Sequence, residues 1–234
     1  SLSDDDFFFL GGMRSLKYLD ASDVDAQSLP NGCFINSEYC EMFVLPKTLT
    51  AISEKCFYGC KSIKKIPIPA SCETIGAFEC CSRLSSISFE SGSCLKTMSY
   101  SSFKGCSSLT SISIPASCET IDAYAFRGCA ITDVTYANGA ALATIGTEAF
   151  AGCDNLHRID MRNCTKLKSI GSKAFYGDNQ IYSFQIGAAV PPSCSADAFD
   201  NVGEYSVLKV PSGSEDAYKA ASGWGEFYKI IANE

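Results

Sequence analysis

Histidine and charged side chains are both scarce in this chain of 234 residues. His157 is the only histidine, and Asp, Glu, Lys and Arg together make up 19% of the sequence. Any Ser/His/Asp catalytic centre would therefore have to use His157. The net charge is −7 and the few basic residues are spread along the chain. This argues against a nucleic-acid partner, because phosphate binding needs clustered Lys and Arg.

The sequence also has no long apolar run. The most apolar segment is the short cluster from Phe7 to Leu10, which follows three aspartates, whereas a membrane-spanning helix needs about 20 apolar residues. No transmembrane segment is therefore predicted. The sequence begins at Ser1 and not at methionine, as it would after removal of an export signal or after trimming. Hydrophobic residues make up 46%, which is ample for a packed core.

A phenylalanine that follows Ala, Cys or Ser returns at nearly constant intervals along the chain. The eight positions are Phe34, Phe57, Phe78, Phe103, Phe126, Phe150, Phe175 and Phe199. Their successive spacings are 23, 21, 25, 23, 24, 25 and 24 residues. Such regularity is typical of a tandem repeat.

Two further apolar patterns keep the same period. A Leu-x-x-Ile-x-Ile-Pro phrase is clearest from Leu109 to Pro115 and recurs in degenerate forms along the chain. Another apolar position lies five residues before most of the phenylalanines: Leu29, Ile52, Met98, Ile121, Ile145, Ile170 and Cys194. In the unit that ends at Phe78, Ile75 lies only three residues before the ring. That two-residue deletion accounts for the short spacing of 21.

The alternating apolar residues of the Leu-x-x-Ile-x-Ile phrase predict one short parallel strand per unit. A single unit cannot bury its own apolar face, so about nine units must stack, with Phe on Phe and Ile on Ile. We therefore predict an α/β repeat solenoid that forms a single elongated domain. Its N-terminal cap is expected at residues 1–15, its repeats at 16–211 and its C-terminal cap at 212–234. The alternative, a closed β-sandwich, would lack this register between units.

Both ends of such a stack need a cover, and the sequence supplies one at each. Ser3 is the expected N-cap of a short helix that opens with three aspartates and stops at Gly11 and Gly12. Near the other end, Ser214 is expected to cap a helix that Gly223 closes. Trp224, the only tryptophan, is expected to pack on the last repeat and not on a ligand.

The phrases from Ile66 to Ile75 and from Ala125 to Cys129 resemble the BspA-type leucine-rich repeats of bacterial surface proteins. The tail from Val210 to Trp224 is similar to the terminal segment of such proteins from Gram-negative anaerobes. This resemblance covers nearly the whole chain. It implies a secreted or lipid-anchored surface protein, and some relatives are implicated in adhesion to host matrix proteins or other cells. Asp178 departs from the pattern, because it replaces the Cys of the Ala-Phe-x-Gly-Cys phrase.

Fourteen cysteines leave three interpretations. Five share one repeat position and two share another, at which other units have Ala or Ser: Cys60, Cys81, Cys106, Cys129 and Cys153, and Cys33 and Cys56. This interchange favours a buried ladder of free thiols, because free Cys behaves as a small hydrophobe. Disulfides between neighbouring units are the alternative, since stacked strands bring equivalent residues within bridging range. Zinc is the least favoured, because the chain has no Cys-x-x-Cys pair.

No catalytic residue, metal site or cofactor is predicted. His157 lies at an outward strand position, typical of a solvated surface histidine, and the cysteines lie at core positions. The glycines punctuate the repeats and form no phosphate-binding loop. Asp133 and Asp160 could meet on one strand face as a carboxylate pair for glycoside hydrolysis, but the sequence indicates no pocket around them.

The outward side of the strand row is the expected binding surface. Ser and Thr fill most of it, as they would on a solvated face, but His157, Arg158 and Tyr182 combine the aromatic and Arg character that interfaces favour. Together with Asp133 and Asp160 they form the predicted partner-binding site. The opposite side, where the Ala-Phe-x-Gly-Cys turns vary in length, is expected not to bind.

Three function classes remain open. The preferred one is a non-enzymatic extracellular binding or adhesion module for a protein or glycan partner, such as host matrix or another cell surface. The second is a passive spacer of a larger surface protein, and the third is an unrecognised hydrolase. A cell-surface location is expected, with an export signal or lipid anchor outside this sequence.

Overall fold

A computed structural model of the chain describes residues 2–233. Its elements are two short helices, α1 (Asp4–Gly11) and α2 (Glu215–Ala220), and 18 strands numbered β1 to β18. The odd-numbered strands are β1 (Tyr18–Asp20), β3 (Met42–Val44), β5 (Lys65–Ile68), β7 (Ser86–Phe89), β9 (Ser111–Ile114), β11 (Asp133–Tyr136), β13 (Arg158–Met161), β15 (Ser183–Ile186) and β17 (Val207–Val210). The even-numbered strands are β2 (Ser28–Leu29), β4 (Ala51–Ile52), β6 (Thr74–Ile75), β8 (Thr97–Met98), β10 (Thr120–Ile121), β12 (Thr144–Ile145), β14 (Ser169–Ile170), β16 (Ser193–Cys194) and β18 (Lys229–Ala232).

The strands wind into a parallel β-solenoid of about nine turns. The odd-numbered strands form a first row, which confirms the predicted strand at each Leu-x-x-Ile-x-Ile phrase. In β9, Ile112 and Ile114 are buried whereas Ser111 and Ser113 are exposed, as alternation requires. The first row is divided into four sheets: β1–β3, β5–β7, β9–β11 and β13–β15–β17–β18.

A second row of strands accompanies the first and was not predicted. The two-residue strands β2 to β16 form one uninterrupted parallel sheet of eight strands. Their inward residues are the apolar residues that precede each phenylalanine. Ile75 stays in register with Ile52 and Met98, so the two-residue deletion is absorbed in the turn after β6. Two residues are too few for alternation to reveal a strand in the sequence.

The predicted phenylalanine column is confirmed as a single stack through the core. All eight rings are buried. Successive ring centroids lie 5.2 to 5.6 Å apart, with interplanar angles of 1° to 14°. Because each ring touches the equivalent ring above and below, the stack couples every repeat to its neighbours.

The Phe-x-Gly-Cys turn needs a left-handed residue at its third position. Gly128 has φ of 69° and Gly152 has φ of 68°, a conformation that costs glycine little. In the unit of Phe78 this position is occupied by Cys80, which adopts a φ of 61°. Cys80 is exposed there, whereas the following Cys81 is buried at the common cysteine position.

The common cysteine position has a hydrogen-bonding role that alanine could not fill. Each thiol donates to the carbonyl of the phenylalanine one turn earlier. Cys81 reaches the Phe57 oxygen at 3.0 Å and Cys106 reaches the Phe78 oxygen at 3.1 Å. Cys60, Cys129 and Cys153 repeat this contact with their own preceding turns. Each of these carbonyls also accepts a backbone N–H within its own turn, so the thiol adds a second hydrogen bond that links one turn to the next.

Thiol titration is expected to separate the cysteines by burial. Eleven are buried, Cys194 is half-buried, and Cys80 and Cys94 are exposed. Burial raises the pKa of Cys118 to about 11 and that of Cys129 to about 12, so these thiols are poor nucleophiles at neutral pH. Native protein should label rapidly at only Cys80 and Cys94, and denatured, unreduced protein should label at most of its fourteen cysteines. Resistance of nearly all of them until a reductant is added would establish a disulfide framework instead.

Both predicted caps are present. At the start, the Ser3 hydroxyl accepts from the Asp6 backbone N–H and the Asp6 carboxylate accepts from the Ser3 N–H, so that a capping box begins α1. Phe7 then packs on Phe34 with ring centroids 6.3 Å apart. Gly12 is the C-cap of α1, as expected.

The C-terminal cap differs in detail from the prediction. The α2 helix ends at Ala220, and the Ser214 side chain makes no capping hydrogen bond, because its backbone is already in the helical region. Trp224 is fully buried, and its indole N–H donates to the Pro192 carbonyl at 2.9 Å. The prediction that this tryptophan belongs to the core is confirmed.

The helix content of the fold is lower than that of an α/β solenoid. The helices contain eight and six residues and lie only in the caps, so helix accounts for about 6% of the chain. Units of 21 to 25 residues already carry two strands and two turns, which leaves no room for a helix in each repeat. The parallel strands, the turns and the helical caps are confirmed, and the repeats themselves are β-structure.

Candidate functional site

Three of the predicted site residues come together on β13 and β15. Arg158 pairs in register with Ser183, and the Tyr182 backbone N–H donates to the His157 carbonyl at 3.1 Å. His157 therefore lies directly beside Tyr182, each of them one residue before its strand. Ile159 and Phe184 point into the core, which directs Arg158 and Ser183 outward, whereas His157 and Tyr182 are exposed in the turns directly before the strands.

His157 and Tyr182 form an exposed aromatic pair. Their ring centroids are 6.4 Å apart and the rings are inclined at 59°. Tyr182 is 55% exposed although it is a large aromatic residue. A tyrosine in this position offers an apolar ring face and a hydroxyl to a partner at low entropic cost, because it has few rotatable bonds.

Asp160 is held by Arg162, a residue that the sequence did not single out. The Arg162 Nη2 donates to Asp160 Oδ2 at 2.7 Å, and Nε donates to Oδ1 at 2.9 Å. These hydrogen bonds from Arg162 lower the pKa of the Asp160 carboxyl. Only the Asp-x-Arg spacing across the strand end could have indicated this fork-shaped pairing.

Asp133 lies apart from this group. It is the first residue of β11, whereas Asp160 is the third residue of β13, so the two carboxylates are offset along the row. The Asp133 carboxylate accepts from the Thr132 hydroxyl at 2.8 Å, and that of Asp160 is occupied by Arg162. The two carboxylates therefore do not stand directly opposite each other on adjacent strands, and each already has a hydrogen-bond partner.

A shallow cleft of about 440 Å³ lies where β11 and β13 end. Asp160 and Arg162 line one wall, and Thr135 and Asn138 line another. Asn163 closes it and donates to the Tyr136 carbonyl at 2.9 Å. The cleft is polar and open, so it could add hydrogen bonds to a ligand that lies along the outward side of the row.

The side of the solenoid that carries the Ala-Phe-x-Gly-Cys turns, which was expected not to bind, also has ordered charged and aromatic side chains. Arg127 forms a salt bridge with Glu148 at 3.2 Å and also lies over the Tyr124 ring. Lys104 bridges to Glu79 at 3.0 Å. The eight-stranded sheet beside these turns is continuous, whereas the first row of strands is divided into four sheets. A continuous surface is therefore not a reason to prefer the first row as the binding side.

Metal and membrane features are limited within the part of the chain that the structure describes. No group of three or more His, Cys, Asp or Glu residues in 2–233 is arranged to hold a metal ion. Neither described helix has the length and apolar character that a membrane-crossing segment requires.

Comparison with models of known protein families identifies the repeats. Residues 27–141 and 96–221 match the model of the BspA type leucine-rich repeat region, which is present in six copies. The chain belongs to the BspA-type leucine-rich repeat family. The relatives of this chain are repeat proteins, a family that is generally non-enzymatic. No curated protein matches the chain significantly.

Two solved structures of leucine-rich repeat proteins share its fold. A leucine-rich repeat protein from Bacteroides ovatus is 19% identical over 95% of this chain, with a TM-score of 0.61. A leucine-rich cell surface protein from Faecalibacterium prausnitzii is 22% identical over 92% of this chain, with a TM-score of 0.52. This chain spans 62% and 65% of the lengths of those two proteins.

Proposed function

We propose that this BspA-type chain is a non-enzymatic extracellular module that binds a protein or glycan partner through the outward side of β13 and β15. The exposed His157–Tyr182 pair beside Arg158 is the observation that carries the proposal. Interface energies concentrate on Tyr, Trp and Arg side chains. On the outward side of the middle repeats, by contrast, Ser and Thr offer single hydroxyl groups.

The role of each residue follows from its surroundings. Tyr182 and His157 would supply the apolar contact, and Arg158 would pair with an acidic or carbonyl group. Asp160 would act by holding Arg162 in place beside the polar cleft. Asp133 would contribute at the margin of the site, one strand further along the row.

A single elongated domain is part of the same proposal, with caps at residues 1–15 and 212–234 and repeats at 16–211. We place it at the cell surface, exported with a signal or a lipid anchor. Support comes from the family membership and from the relative that is described as a cell surface protein. A passive spacer of a larger surface protein is the second candidate, because repeat arrays can also extend a chain without binding.

Alanine at His157, Arg158 and Tyr182 together is expected to weaken binding by more than about tenfold, or 1.4 kcal/mol. The protein would be assayed by surface plasmon resonance against a panel of matrix proteins and glycans. Removing two aromatic rings and one guanidinium deletes the anchors of the site while β13 and β15 keep their buried residues.

The matched control replaces Lys104, Arg127 and Lys173 on the turn side by alanine. Binding should stay within about a factor of two, because partly solvated charges contribute little. If the control loses binding and the first variant does not, the site lies on the turn side. Failure to bind any panel member would favour the spacer.

A further inference from the structure

The outward side of the last sheet is positively charged although the whole chain has a net charge of −7. We call the outward side of β13, β15, β17 and β18 the basic face. Its charged residues are Arg158, Asp160, Lys209 and Lys229 on the strands, together with Arg162, which directly follows β13 and whose guanidinium is bound to Asp160. Four basic residues against one acidic residue give this face a local charge of +3. It is therefore an electropositive surface on an acidic protein, and it attracts anions.

Within residues 2–233, three of these cations have no anionic partner. Arg162 is occupied by Asp160. Arg158, Lys209 and Lys229 form no salt bridge with any residue between 2 and 233. Since unpaired surface cations repel each other and gain nothing from folding, their collection on one face points to an external anion.

The register of the sheet sets the spacing of the cations. Arg158 pairs with Ser183, Ser183 with Val207, and Val207 with Lys229, so Arg158 and Lys229 lie in one line across the sheet. Parallel strands are about 4.8 Å apart, which places these two residues about 14 Å from each other. Lys209 lies on the strand between them, two residues further along.

Exposed tyrosines run beside this line of cations. Tyr182 and Tyr228 each directly precede their strand residue of that line, and they are 55% and 68% exposed. Tyr205 packs against Tyr228 with ring centroids 5.6 Å apart and is itself 68% exposed. The acidic residues nearby do not belong to these strands: Glu204 and Glu226 lie in the turns before β17 and β18, and Glu215 and Asp216 lie in α2, which borders a cleft with Ile231.

We propose that the basic face binds an acidic polysaccharide that runs across the strands. Uronate carboxylates would pair with Arg158, Lys209 and Lys229, and sugar rings would lie against Tyr182 and Tyr228. A polyuronate carries one carboxylate per ring at a repeat comparable to the strand spacing of about 4.8 Å. Its carboxylates would therefore reach the cations of β13, β17 and β18 and pass over β15, which has none. This inference rests on the proposed function and names the chemistry of its ligand.

An acidic peptide fits the basic face less well. Peptides dock through apolar anchors that fill pockets or through pairing with a free strand edge. The large exposed side chains here are tyrosines on a flat surface, and the line of cations crosses the strands at right angles to the sheet edge. Flat amphipathic rings beside separated charges suit a chain of sugar rings.

Isothermal titration of the full chain with polygalacturonate, at about 50 mM salt, is the test. Replacement of Arg158, Lys209 and Lys229 by Gln should weaken binding by more than about tenfold. The matched control replaces Lys64, Lys65 and Arg83, three exposed cations of the N-terminal half, and should stay within about twofold. Methyl-esterified polygalacturonate, which has no charge, should bind more than about tenfold more weakly than the acid form. Thermal unfolding of both variants verifies that they fold.

Several outcomes would overturn the inference. If the esterified polymer bound as tightly as the acid form, the carboxylates would not contribute to recognition. If the control variant lost as much affinity, the effect would come from the net charge of the protein and not from this face. If polyglutamate bound more tightly than polygalacturonate, the partner of the basic face would be an acidic protein. If a matrix protein is captured through His157, Arg158 and Tyr182 while polygalacturonate does not bind, this inference fails and the proposed function stands. If no partner binds at all, both fail.

Discussion

Replacement of Phe126 by alanine is expected to lower the free energy of unfolding by about 3–5 kcal/mol. Its ring is fully buried between those of Phe103 and Phe150, whose centroids lie 5.3 and 5.2 Å away. The neighbours cannot close the resulting cavity, because each is held by its own contacts further along the stack. Urea denaturation followed by circular dichroism would measure the change.

Tyr100 provides a matched control for this substitution. Its ring is 54% exposed and contacts one other ring, that of Tyr124, at 5.3 Å. Alanine at Tyr100 should cost less than about 1 kcal/mol, as is usual for surface changes. A midpoint for Phe126→Ala that matches the wild type would refute a cooperative stack. A split transition would mean that the two halves unfold separately, as nearest-neighbour coupling allows.

Replacement of Asp178 by cysteine is expected to stabilise the protein above about pH 6 and to flatten its pH dependence. Asp178 stands at the common cysteine position and is fully buried. Its Oδ1 accepts from the Cys153 backbone N–H at 2.7 Å, but its Oδ2 has no partner. Burial raises the pKa of this carboxyl to about 8, and the charge of Asp154 adds to the effect.

The direction of the effect follows from the two protonation states. An aspartate in the unfolded chain has a pKa of about 3.9, so the folded protein must bind a proton that the unfolded chain has released. Stability from this group is complete below about pH 4 and is lost as the pH rises towards 8, by up to about 1.4 kcal/mol per pH unit. Cysteine restores the thiol that donates to a phenylalanine carbonyl in other turns.

Denaturation midpoints between about pH 5 and pH 8 would test this. The wild type should lose stability steadily over that range, and Asp178→Cys should lose little. Asp154→Asn, which removes only the neighbouring charge, is the control and should reduce the slope partially. An identical slope in wild type and Asp178→Cys would mean that Asp178 is not the titrating group.

The sequence was sufficient to predict the parts of the fold that depend on repeated side chains. Phe34 to Phe199 recur at fixed intervals, and each turn must bury the same ring, so the stack and its register could be predicted. The capping box at Ser3 could be predicted as well, because it depends on residues three positions apart. The even-numbered strands from β2 to β16 could not, since each has only two residues, which is too short to show alternation in the sequence.

The candidate site was only partly accessible to sequence reasoning. The position of His157 beside Tyr182 followed from the repeat alignment. The hydrogen bonds from Arg162 to Asp160 could not be predicted, because Arg162 lies just beyond the strand, where the repeat pattern no longer fixes the direction of a side chain. The basic face could not be predicted either, because Lys209 and Lys229 are 20 residues apart and lie on neighbouring strands only when β18 joins the sheet.

The unequal division of the two strand rows makes the solenoid mechanically asymmetric. One side is tied by an unbroken ladder of eight strands, which resists stretching because any extension breaks backbone hydrogen bonds. The other side has three joints, between β3 and β5, β7 and β9, and β11 and β13, at which no ladder must break. Bending should therefore concentrate at these joints and curve the rod towards or away from that side. The sheet of β13, β15, β17 and β18 lies beyond the last of these joints and would move as one unit when the rod bends there.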